Sequence, residues 1–431
     1  MQIIIEKLKK LRQLKVLFLS FSLCALIFAA FYNCESNIRP LKLNQKTIIG
    51  NPNYLSICYG GYRDTSRTIE PTIRELKEDL VVLSALGIKV LRTYQSKEFP
   101  QSANLLQAIQ ELKGMDSTFE MYVMLGAWIE CEDAWTEKPN HEKGNETKNA
   151  GEVNTAVELA IKYPEIVKVI AVGNESMVHW AATYFVKPNV VLKWVNYLQK
   201  LKEKGRLNKN LKITSSDNYQ SWGGGDESYH NQDLIDLINA VDYVSMHTYP
   251  FHDTHYNPEF WHSDSADNKP DKLKEIYAAI QRASDYAQSQ YLFTKQYVQS
   301  IKPDIPVHIG ETGWASISND NYGHSGSKAA DEYKQKIYFD LMNEWTKLDS
   351  ITCFFFEAFD EPWKDSKNVM GSENHFGLID IKGKVKYVLW NKIEDGSLKS
   401  LTRNELELKK SFEGNFDSLF SQIELPSKRT H

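Results

Sequence analysis

Two glutamates, each at the end of an apolar run rich in β-branched residues, are the side chains in this sequence best placed to do chemistry. Glu311 follows Val307-His308-Ile309-Gly310, and Glu175 follows the run 166–174. Such runs predict buried strands whose last residue points into a cleft. Burying a carboxylate without partners is costly, so each glutamate is either part of a structural ion pair or used chemically. For either glutamate considered alone, both readings stay open.

Taken together, the two glutamates suggest one class of reaction. Two carboxyl groups held across a pocket are what cleavage of a glycosidic bond requires: a neutral acid protonates the leaving oxygen, and an anion attacks or stabilises the sugar cation. The aromatic content fits this reaction, since ten Trp, 22 Tyr and 19 Phe make up 12% of the chain and flat rings stack on sugar rings. A large hydrophobic core is the alternative explanation for so many rings.

The elements that must position these glutamates alternate regularly along the chain. Eight strand-like runs are separated by helical patterns, which predicts a parallel sheet closed into a (β/α)8 TIM barrel with active residues at the carboxyl ends of the strands. Two polar excursions, 130–149 and 250–268, interrupt the pattern. The predicted strands are 54–59, 88–94, 119–125, 166–172, 211–214, 241–247, 305–310 and 351–356, and the helices are 71–86, 102–112, 151–162, 188–204, 231–240, 272–300 and 328–348.

The N-terminal region predicts export. Residues 1–15 carry five Lys or Arg against one acid, and residues 16–32 contain no charge. This segment is expected to act as an uncleaved membrane anchor, as a cleaved signal peptide, or as a lipoprotein signal ending at Cys34. All three fates place the catalytic part outside the cytoplasm, in the cell envelope or secreted. The predicted organisation is a basic stub, hydrophobic segment and linker over 1–45, a catalytic barrel over 46–395 and a charged, solvated tail over 396–431.

The net charge argues against nucleic acid as a partner, and the placement of the cysteines and histidines argues against a metal or redox site. A net charge of −5 and a pI near 6.2 argue against nucleic acid, because no basic surplus exists to neutralise phosphates. The five cysteines show neither metal-like nor redox-like spacing and are interpreted as mostly buried thiols. The histidines His247, His252, His255 and His262 are interpreted as part of a hydrogen-bonding loop rather than as metal ligands. No metal and no cofactor are expected, and the chain is expected to be a monomer.

Side chains near the predicted strand ends suit a polyhydroxylated ligand. Rings interleaved with carboxylates, amides and guanidinium groups provide stacking surfaces and hydrogen bonds for sugars, whereas a phosphate would call for a glycine-rich loop and a lysine. Trp128, Trp135 and Trp222 are either sugar platforms or hydrophobic anchors of loops, and Glu357 is interpreted as a charge at the barrel rim. The set of strand-end residues is Tyr59, Arg63, Arg92, Tyr94, Trp128, Asn174, Glu175, Asp217, Trp222, His247, Tyr249, Glu311, Trp314, Glu357, Asp360, Glu361 and Trp363.

With these residues in view, the sequence resembles glycoside hydrolase family 17, the β-1,3-glucanases and glucanosyltransferases of the retaining (β/α)8 clan. The resemblance spans residues 54–390 and rests on Val172-Gly173-Asn174-Glu175 and Ile309-Gly310-Glu311-Thr312-Gly313-Trp314. Softer matches are Ile57-Cys58-Tyr59-Gly60, residues 88–94, Tyr249-Pro250, residues 359–364 and Phe376-Gly377-Leu378. The sequence departs from plant members at Ala315, where they usually have proline, and in the length of its two polar excursions.

The resemblance implies a role for each matching residue. Glu175 would be the general acid/base and Glu311 the nucleophile, while Asn174 would bind the 2-hydroxyl of the sugar. Tyr249 would hydrogen-bond the nucleophile, and Glu361, Lys364 and Glu373 would form a polar cluster beneath the substrate. Tyr59, Arg92, Tyr94 and Trp314 are expected to contact substrate as well. As a retaining pair, the two carboxyl groups should lie about 5–5.5 Å apart.

The expected function is therefore that of an exported, retaining β-1,3-glucan hydrolase acting on laminarin-like polysaccharide or oligosaccharide. A β-1,3-glucanosyltransferase using the same site is the first alternative, in which a sugar hydroxyl replaces water as the acceptor. A carbohydrate-binding barrel without catalytic activity is the second alternative, and a metal-dependent hydrolase is the third.

Overall fold

Eight parallel strands close into a barrel in the computed structural model, which describes residues 47–262 and 271–426. The predicted (β/α)8 fold is therefore confirmed. The predicted N-terminal hydrophobic segment lies outside the described residues. The barrel strands are β1 (Leu55–Cys58), β2 (Ile88–Arg92), β3 (Tyr122–Ala127), β4 (Val167–Asn174), β5 (Lys212–Asn218), β6 (Val244–His247), β7 (Val307–Gly313) and β8 (Cys353–Phe356).

Helices cover the outside of this barrel. They are α1 (Ile73–Ala85), α2 (Gln101–Met115), α3 (Glu146–Lys162), α4 (Pro188–Glu203), α5 (Gln232–Ala240), α6 (Pro250–Tyr256), α7 (Lys272–Ile301), α8 (Glu332–Leu348), α9 (Trp390–Glu394) and α10 (Phe416–Ser421). Within residues 47–262 and 271–426, none of the helices combines the length and apolar character that crossing a bilayer would need.

The register of the strands places the polar residues of the strand ends at the same mouth of the barrel. Each strand pairs with its sequence neighbours, and β1 closes the barrel on β8. His247 of β6 lies opposite Glu311 of β7, and Asn174 of β4 lies opposite Ser216 of β5. The carboxyl ends of a parallel barrel share one face, so this register places the two candidate carboxylates at the same mouth.

Strand β5 is longer than predicted, and the extra residues bear on the site. The prediction ended the strand at residue 214, whereas β5 continues through Ser215, Ser216 and Asp217 to Asn218. The side chains of Ser215, Ser216 and Asp217 are fully buried. Nothing in the composition of this polar run marks burial, so the predicted strand ends before it. Hydrogen bonds compensate the burial of Ser216 and Asp217, whereas the buried Ser215 hydroxyl has no hydrogen-bond partner among the described residues.

The two helices whose starts differ most from the prediction, α3 and α8, each begin directly after a capping residue. Helix α3 begins at Glu146 rather than residue 151, because the Asn145 side chain accepts a hydrogen bond from the Lys148 N–H at 3.3 Å. Helix α8 begins at Glu332 rather than residue 328, because Asp331 caps it and the residue at 328 has a left-handed φ of 59°. Asn and Asp are strong N-caps, so they set both starts.

The polar excursion over residues 130–149 is a folded hairpin. Cys131–Glu132 pairs antiparallel with Asn140–Gly144, and the excursion ends in the first turn of α3. The second excursion contains α6 and extends beyond the described residues. Both insertions follow the carboxyl ends of strands, where loops of a barrel shape the active face.

The C-terminal segment packs against the protein instead of forming the solvated end that its charge predicted. Leu398, Leu408, Leu419 and Ile423 are buried. A two-stranded ribbon, Thr402–Arg403 with Leu406–Glu407, contacts α1. Apolar residues spaced widely among Lys, Glu and Ser give no clear periodicity, which is why composition alone suggested solvent exposure. The domain boundaries assigned at residues 45 and 395 remain predictions.

The histidine on β7 provides a test of burial inside the barrel. His308 accepts a hydrogen bond at Nδ1 from the Thr352 N–H at 3.2 Å, and its ring packs edge-on against Tyr243. Burial lowers the pKa of His308 from 6.5 to about 4. Between these two values the unfolded chain binds a proton that the folded chain does not. The contribution of His308 to stability is therefore fully present above pH 6.5 and is lost as the pH falls toward 4.

We expect His308→Gln to remove part of the acid destabilisation. The wild-type free energy of unfolding should fall by roughly 3 kcal/mol more than that of the variant between pH 7 and pH 4. Urea denaturation at a series of pH values measures the difference. His255→Gln, at an exposed histidine, should keep the wild-type pH dependence. Parallel stability curves for wild type and His308→Gln would contradict the assignment.

Candidate active site

A groove of about 1250 Å³ opens at the carboxyl ends of the barrel strands. Aromatic rings supply much of its wall, among them Tyr62, Trp128, Trp135, Tyr184, Trp363 and Phe376. Polar groups from several strand ends, including both candidate carboxylates, complete the lining. A ring-lined concave surface with a few convergent polar groups is the usual form of a ligand site.

Glu311 lies at the floor of the groove at the end of β7, with only 5% of its surface exposed. The guanidinium of Arg92 donates to one carboxylate oxygen, and the Tyr249 hydroxyl donates to the other at 2.7 Å. Burial alone would raise the pKa of Glu311, but the charges of His247 and Arg92 and the hydrogen bonds from Tyr249 and Arg92 outweigh it and lower the pKa to about 2. Glu311 is therefore an anion at neutral pH.

Glu175 follows β4 on a tightly held turn. Gly173 has a φ of 83° and Glu175 itself a φ of 45°, in the left-handed region that L residues rarely adopt. The backbone is pinned on both sides, because the Glu175 N–H donates to the Ser216 carbonyl at 3.0 Å and the Asn174 N–H donates to the Ser176 hydroxyl at 3.1 Å. This turn directs a partly exposed carboxyl group into the groove.

The two carboxyl groups face each other across the groove. An oxygen of Glu175 and an oxygen of Glu311 lie within 4.8 Å of each other. Retaining glycosidases hold their carboxyl groups about 5–5.5 Å apart, whereas inverting enzymes need roughly 6.5–9.5 Å to admit a water molecule. The short separation matches the retaining arrangement.

His247 lies between the two glutamates at the end of strand β6, in agreement with the predicted strand over residues 241–247. Its Nδ1 lies 3.1 Å from Glu175 Oε1 and 3.7 Å from Glu311 Oε2. Its Nε2 lies 2.8 Å from the Ser216 hydroxyl, which bonds Ser245 in turn. A proton on Nδ1 can be donated to Glu175 in this arrangement.

Glu175, His247 and Glu311 also form a set of groups that could hold a metal ion. Two carboxylates and an imidazole are suitable ligands for several divalent metals. However, Arg92 and Tyr249 already donate to both oxygens of Glu311. A metal ion bound here would have to displace them or share the carboxylate with a buried guanidinium, which opposes the approach of a cation.

Arg92 acts behind the groove surface, not in it. Only 1% of its surface is exposed, and it is not among the lining residues. Besides its contact with Glu311, its second terminal nitrogen donates to Asn174 Oδ1 at 2.6 Å. The expectation that Arg92 contacts substrate is therefore wrong. Its guanidinium instead fixes the orientation of two neighbouring groups that do line the groove.

Trp314 was expected to contact substrate, but it is fully buried away from the groove. Its indole N–H donates to the Ala329 carbonyl at 2.8 Å, and its ring packs against Phe251 and Tyr338. Trp222 is likewise fully buried, with its N–H bonded to the Ser245 carbonyl. Both indoles belong to the core, and their position after a strand gave no means of telling core from groove.

Trp128 and Trp135, by contrast, do line the groove. Tyr184, which sequence reasoning did not identify, packs between them with ring centroids 5.1 and 5.0 Å away. Trp135 is 57% exposed and donates its N–H to Glu130 at 2.9 Å. The hairpin after β3 and the loop after β4 thus build one aromatic wall. The interpretation of Trp128 and Trp135 as sugar platforms fits this placement.

A second aromatic cluster lines the groove near the loops after β1 and β8. Tyr62 packs edge-on against Phe99 and Trp363. The Arg67 guanidinium lies 4.2 Å from the Trp363 ring and 4.3 Å from the Phe99 ring. Tyr62, Phe99 and Arg67 lie in loops without a regular pattern, so sequence reasoning did not assign them to the site.

The predicted polar cluster forms in part. Lys364 lies 3.2 Å from Glu361 and 2.6 Å from Glu357. Glu373 lines the groove at an exposed position. Glu357 is fully buried rather than a rim charge. Burial raises the pKa of Glu357 well above its usual range, Lys364 opposes the rise and Glu361 adds to it.

Tyr59, Tyr94 and Asn174 line the groove as predicted. The Tyr94 ring also packs on the Arg92 guanidinium, with 4.7 Å from the guanidinium carbon to the ring centre. The Tyr59 hydroxyl donates to the buried Asp79 at 3.0 Å, and only 1% of this tyrosine's surface is exposed where it borders the groove.

Asp217 supports the turn that carries Glu175. Its carboxylate accepts a hydrogen bond from the Met177 N–H at 2.7 Å, two residues beyond Glu175. Burial raises the pKa of Asp217 to about 7, and the charge of Glu175 adds to the rise while the Met177 N–H and His247 oppose it. The sequence placed Asp217 at a strand end without indicating this role.

Comparison with known proteins gives the family of this chain. Residues 56–377 match the family described as the BtgE/BtgC glycoside hydrolase domain. The chain is 24% identical over 322 residues to the glucan 1,3-beta-glucosidase of Arthroderma benhamiae, which covers 73% of this chain and 83% of that protein. It is 23% identical over 357 residues to the "Probable glucan endo-1,3-beta-glucosidase btgC" of Aspergillus terreus, covering 78% of this chain but 45% of that longer protein.

One of the solved structures is considerably more similar in sequence. An endo-laminarinase from Formosa is 54% identical, with a TM-score of 0.87, over 89% of this chain and 98% of that chain. A β-1,3-glucanosyltransferase from Rhizomucor miehei shares the fold at 21% identity, with a TM-score of 0.53, over 78% of this chain and 96% of that chain.

The burial of Trp314 yields a prediction that separates core indoles from groove indoles. Trp314→Ala should lower the free energy of unfolding by about 3–5 kcal/mol, because it leaves a large cavity in the core. Trp135→Ala, at a mostly exposed ring, should change it by less than about 1 kcal/mol. Urea denaturation of both variants measures the contrast. Equal losses would contradict the placement of the two rings.

Proposed function

This chain belongs to the BtgE/BtgC glycoside hydrolase domain family, and from that membership we propose that it is a retaining glycosidase that cleaves β-1,3-glucan. The observation that carries the proposal is the pair Glu175 and Glu311, whose carboxyl oxygens lie within 4.8 Å of each other in an aromatic groove. The 54% identity to an endo-laminarinase over 89% of the chain supports the choice of substrate.

The surroundings of the two glutamates support a division of labour. Arg92 and Tyr249 hold Glu311 as an anion, which suits a nucleophile. In the first step, an oxygen of Glu311 bonds to the anomeric carbon, the glycosidic bond breaks, and Glu175 gives its proton to the leaving oxygen. In the second step, Glu175 takes a proton from water as the water oxygen displaces Glu311. Two inversions leave the configuration unchanged.

Neighbouring groups stabilise charge as it develops. The oxygen of Asn174 is held by Arg92, which presents the amide nitrogen as the donor for the 2-hydroxyl of the sugar. Such a hydrogen bond strengthens in the transition state. His247 donates to Glu175 and so stabilises the carboxylate that remains after the proton has left. Lys364 and Glu361 supply further polar contacts at the groove floor.

The aromatic clusters suit a glucan chain. Tyr184 follows Glu175 in the loop after β4 and packs with Trp128 and Trp135, so this cluster belongs on the leaving-group side of the scissile bond. Tyr62 and Trp363 lie beside Glu361 and Lys364 and belong on the side of the sugar that bonds to Glu311. Rings at both positions provide stacking surfaces for several glucose units.

The same site could pass the sugar to a second carbohydrate instead of water. The Rhizomucor miehei glucanosyltransferase shares the fold, and an aromatic wall on the leaving-group side would bind an acceptor as readily as a leaving group. A non-catalytic carbohydrate-binding barrel would retain the groove, but a strained Glu175 backbone and a buried anionic Glu311 have no evident use in it.

We further propose that the catalytic barrel acts outside the cytoplasm. The basic residues of 1–15 followed by the uncharged run 16–32 support an exported protein held at the membrane or released from it. Fractionation of cells that express the full chain, followed by laminarinase assays of the medium, membranes and cytoplasm, tests this proposal. Activity confined to the cytoplasm would contradict it.

The roles of the two glutamates can be distinguished by chemical rescue. Glu311→Ala and Glu175→Ala should each lower kcat/KM on laminarin by about 10³-fold or more. With an activated aryl β-laminaribioside, azide should restore turnover of both variants. Azide entering the space left by Glu311 gives the α-glycosyl azide, whereas azide attacking the glycosyl-enzyme of the Glu175 variant gives the β-azide. Proton NMR identifies the anomer.

Two controls accompany this experiment. Glu344→Ala, at an exposed surface carboxylate, should keep wild-type turnover. EDTA should leave the wild-type rate unchanged, and a loss restored by added divalent metal would favour the metal-dependent alternative instead. Unchanged turnover in Glu311→Ala would overturn the retaining mechanism.

The products decide between hydrolysis and transfer. Incubation of the full chain with laminari-oligosaccharides should give shorter β-1,3 oligosaccharides, since water is the acceptor in the proposed reaction. Mass spectrometry of the products over time measures their lengths. Products longer than the substrate as the main outcome would favour the transferase. Laminarin, mixed-linkage glucan and cellulose tested in parallel show the linkage preference.

A further inference from the structure

The C-terminal ribbon, defined above as Thr402–Arg403 and Leu406–Glu407, lies beyond residue 377, where the family match ends. It nevertheless reaches a buried ion cluster centred on Asp79 of α1. Arg403 and Asp79 are both fully buried. Arg403 Nε donates to Asp79 Oδ1 at 3.1 Å, and Arg63 donates to the same oxygen at 2.7 Å. A buried carboxylate depends on such partners, and the ribbon supplies one of the two guanidiniums.

The other oxygen of Asp79 is bonded to a residue of the groove. Tyr59 donates its hydroxyl to Asp79 Oδ2 at 3.0 Å, and its ring lines the groove. The loop that follows β1 packs directly on this hydroxyl, since a Cβ added to Gly61 would lie 2.5 Å from it. The same loop supplies Tyr62 and Arg67 to the groove wall. Asp79 therefore connects the ribbon to the wall.

A second contact ties the same elements together. The Glu78 carboxylate of α1 accepts hydrogen bonds from the Thr402 hydroxyl at 2.6 Å and from the Asn404 N–H at 3.0 Å, while Arg63 donates to it at 2.9 Å. The Arg403 guanidinium also lies 4.1 Å from the Phe359 ring, which packs edge-on against Tyr59. Helix α1, the loop after β1 and the ribbon are thus one bonded unit.

We propose that the C-terminal ribbon is a positioning element of the substrate groove. Arg403 acts through Asp79 to hold Tyr59 and the loop over residues 60–67 in the geometry that a glucan chain requires. Arg403 is a positioning residue, because it contacts no part of the groove itself. The inference rests on the proposed function for the identity of the ligand, and it extends the catalytic unit past the predicted boundary at residue 395.

The test compares two ion pairs that join α1 to the C-terminal ribbon: the buried pair of Arg403 with Asp79 and the exposed pair of Arg74 with Glu405. Arg403→Met removes the guanidinium and should raise KM for laminari-oligosaccharides about tenfold with kcat within about twofold, since the wall is displaced but Glu175 and Glu311 are not. Arg403→Lys should recover part of the KM. The control is Arg74→Met, whose ion pair with Glu405 joins α1 to the ribbon at 72% and 73% exposure. It should leave KM and kcat unchanged.

A second variant tests the link from the other side of Asp79. Tyr59→Phe removes the hydroxyl that bonds Asp79 and should raise KM by a similar factor. The double variant Tyr59→Phe/Arg403→Met should be little worse than either single variant, because both changes break one chain of contacts. Additive effects on KM would overturn the proposal. If Arg403→Met does not fold, as judged by circular dichroism, an unchanged KM in Tyr59→Phe overturns it instead.

The results that would overturn this inference differ from the results that would refute the proposed function. A ribbon with a purely structural role would lower the Tm of Arg403→Met but leave its KM at the wild-type value, and in the inactive Glu311→Ala background it would leave the calorimetric affinity for laminaritetraose unchanged. That result overturns the inference while the wild type still cleaves laminarin. A wild type that neither cleaves laminarin nor binds laminaritetraose would instead refute the proposed function.

Discussion

The contact between the Arg92 guanidinium and Glu311 is the interaction on which the rest of the site depends. A carboxylate with 5% exposure at the floor of a barrel is stable as an anion only if charge and hydrogen bonds compensate its burial. His247 and Arg92 supply the opposing charge, Tyr249 and Arg92 supply hydrogen bonds, and Arg92 also holds the Asn174 amide. One buried cation thereby sets both the charge of one catalytic candidate and the orientation of the group beside the other. The aromatic walls line the same groove as this centre.

The arrangement of strands and helices was predictable because the barrel repeats one pattern eight times, with apolar runs that periodicity detects directly. Glu175 and Glu311 were predictable for the same reason, since a charged residue at the end of an apolar run stands out. His247 and Asp217 were harder to assign, because neither their types nor their spacing distinguishes a site residue from a satisfied core residue. Their roles follow from register and from partners on other strands, which a single sequence does not show.

The tryptophans show the same limit of prediction from sequence, because the position of a tryptophan in the chain does not tell whether its ring lies in the core or in the groove. Trp314 stands beside Glu311 in the motif that first indicated the site, yet it points into the core, whereas Trp135 in an irregular polar stretch lines the groove. Burial of a side chain after a strand depends on loop conformation, and loop conformation depends on contacts far apart in the chain. The C-terminal segment is a further case: its charges suggested solvent, but Arg403 is fully buried against Asp79.

The cap of α3 has a practical consequence. Asn145 not only accepts from the Lys148 N–H but also donates its side-chain nitrogen to Glu130 at 3.0 Å, and Glu130 in turn holds the exposed Trp135. Asn145-Glu146-Thr147 is also an acceptor triplet for N-linked glycans. A eukaryotic secretory host would attach its oligosaccharide to the very nitrogen that joins the hairpin to the helix. Recombinant material for enzymology is therefore best made in bacteria, or with this triplet removed at Thr147.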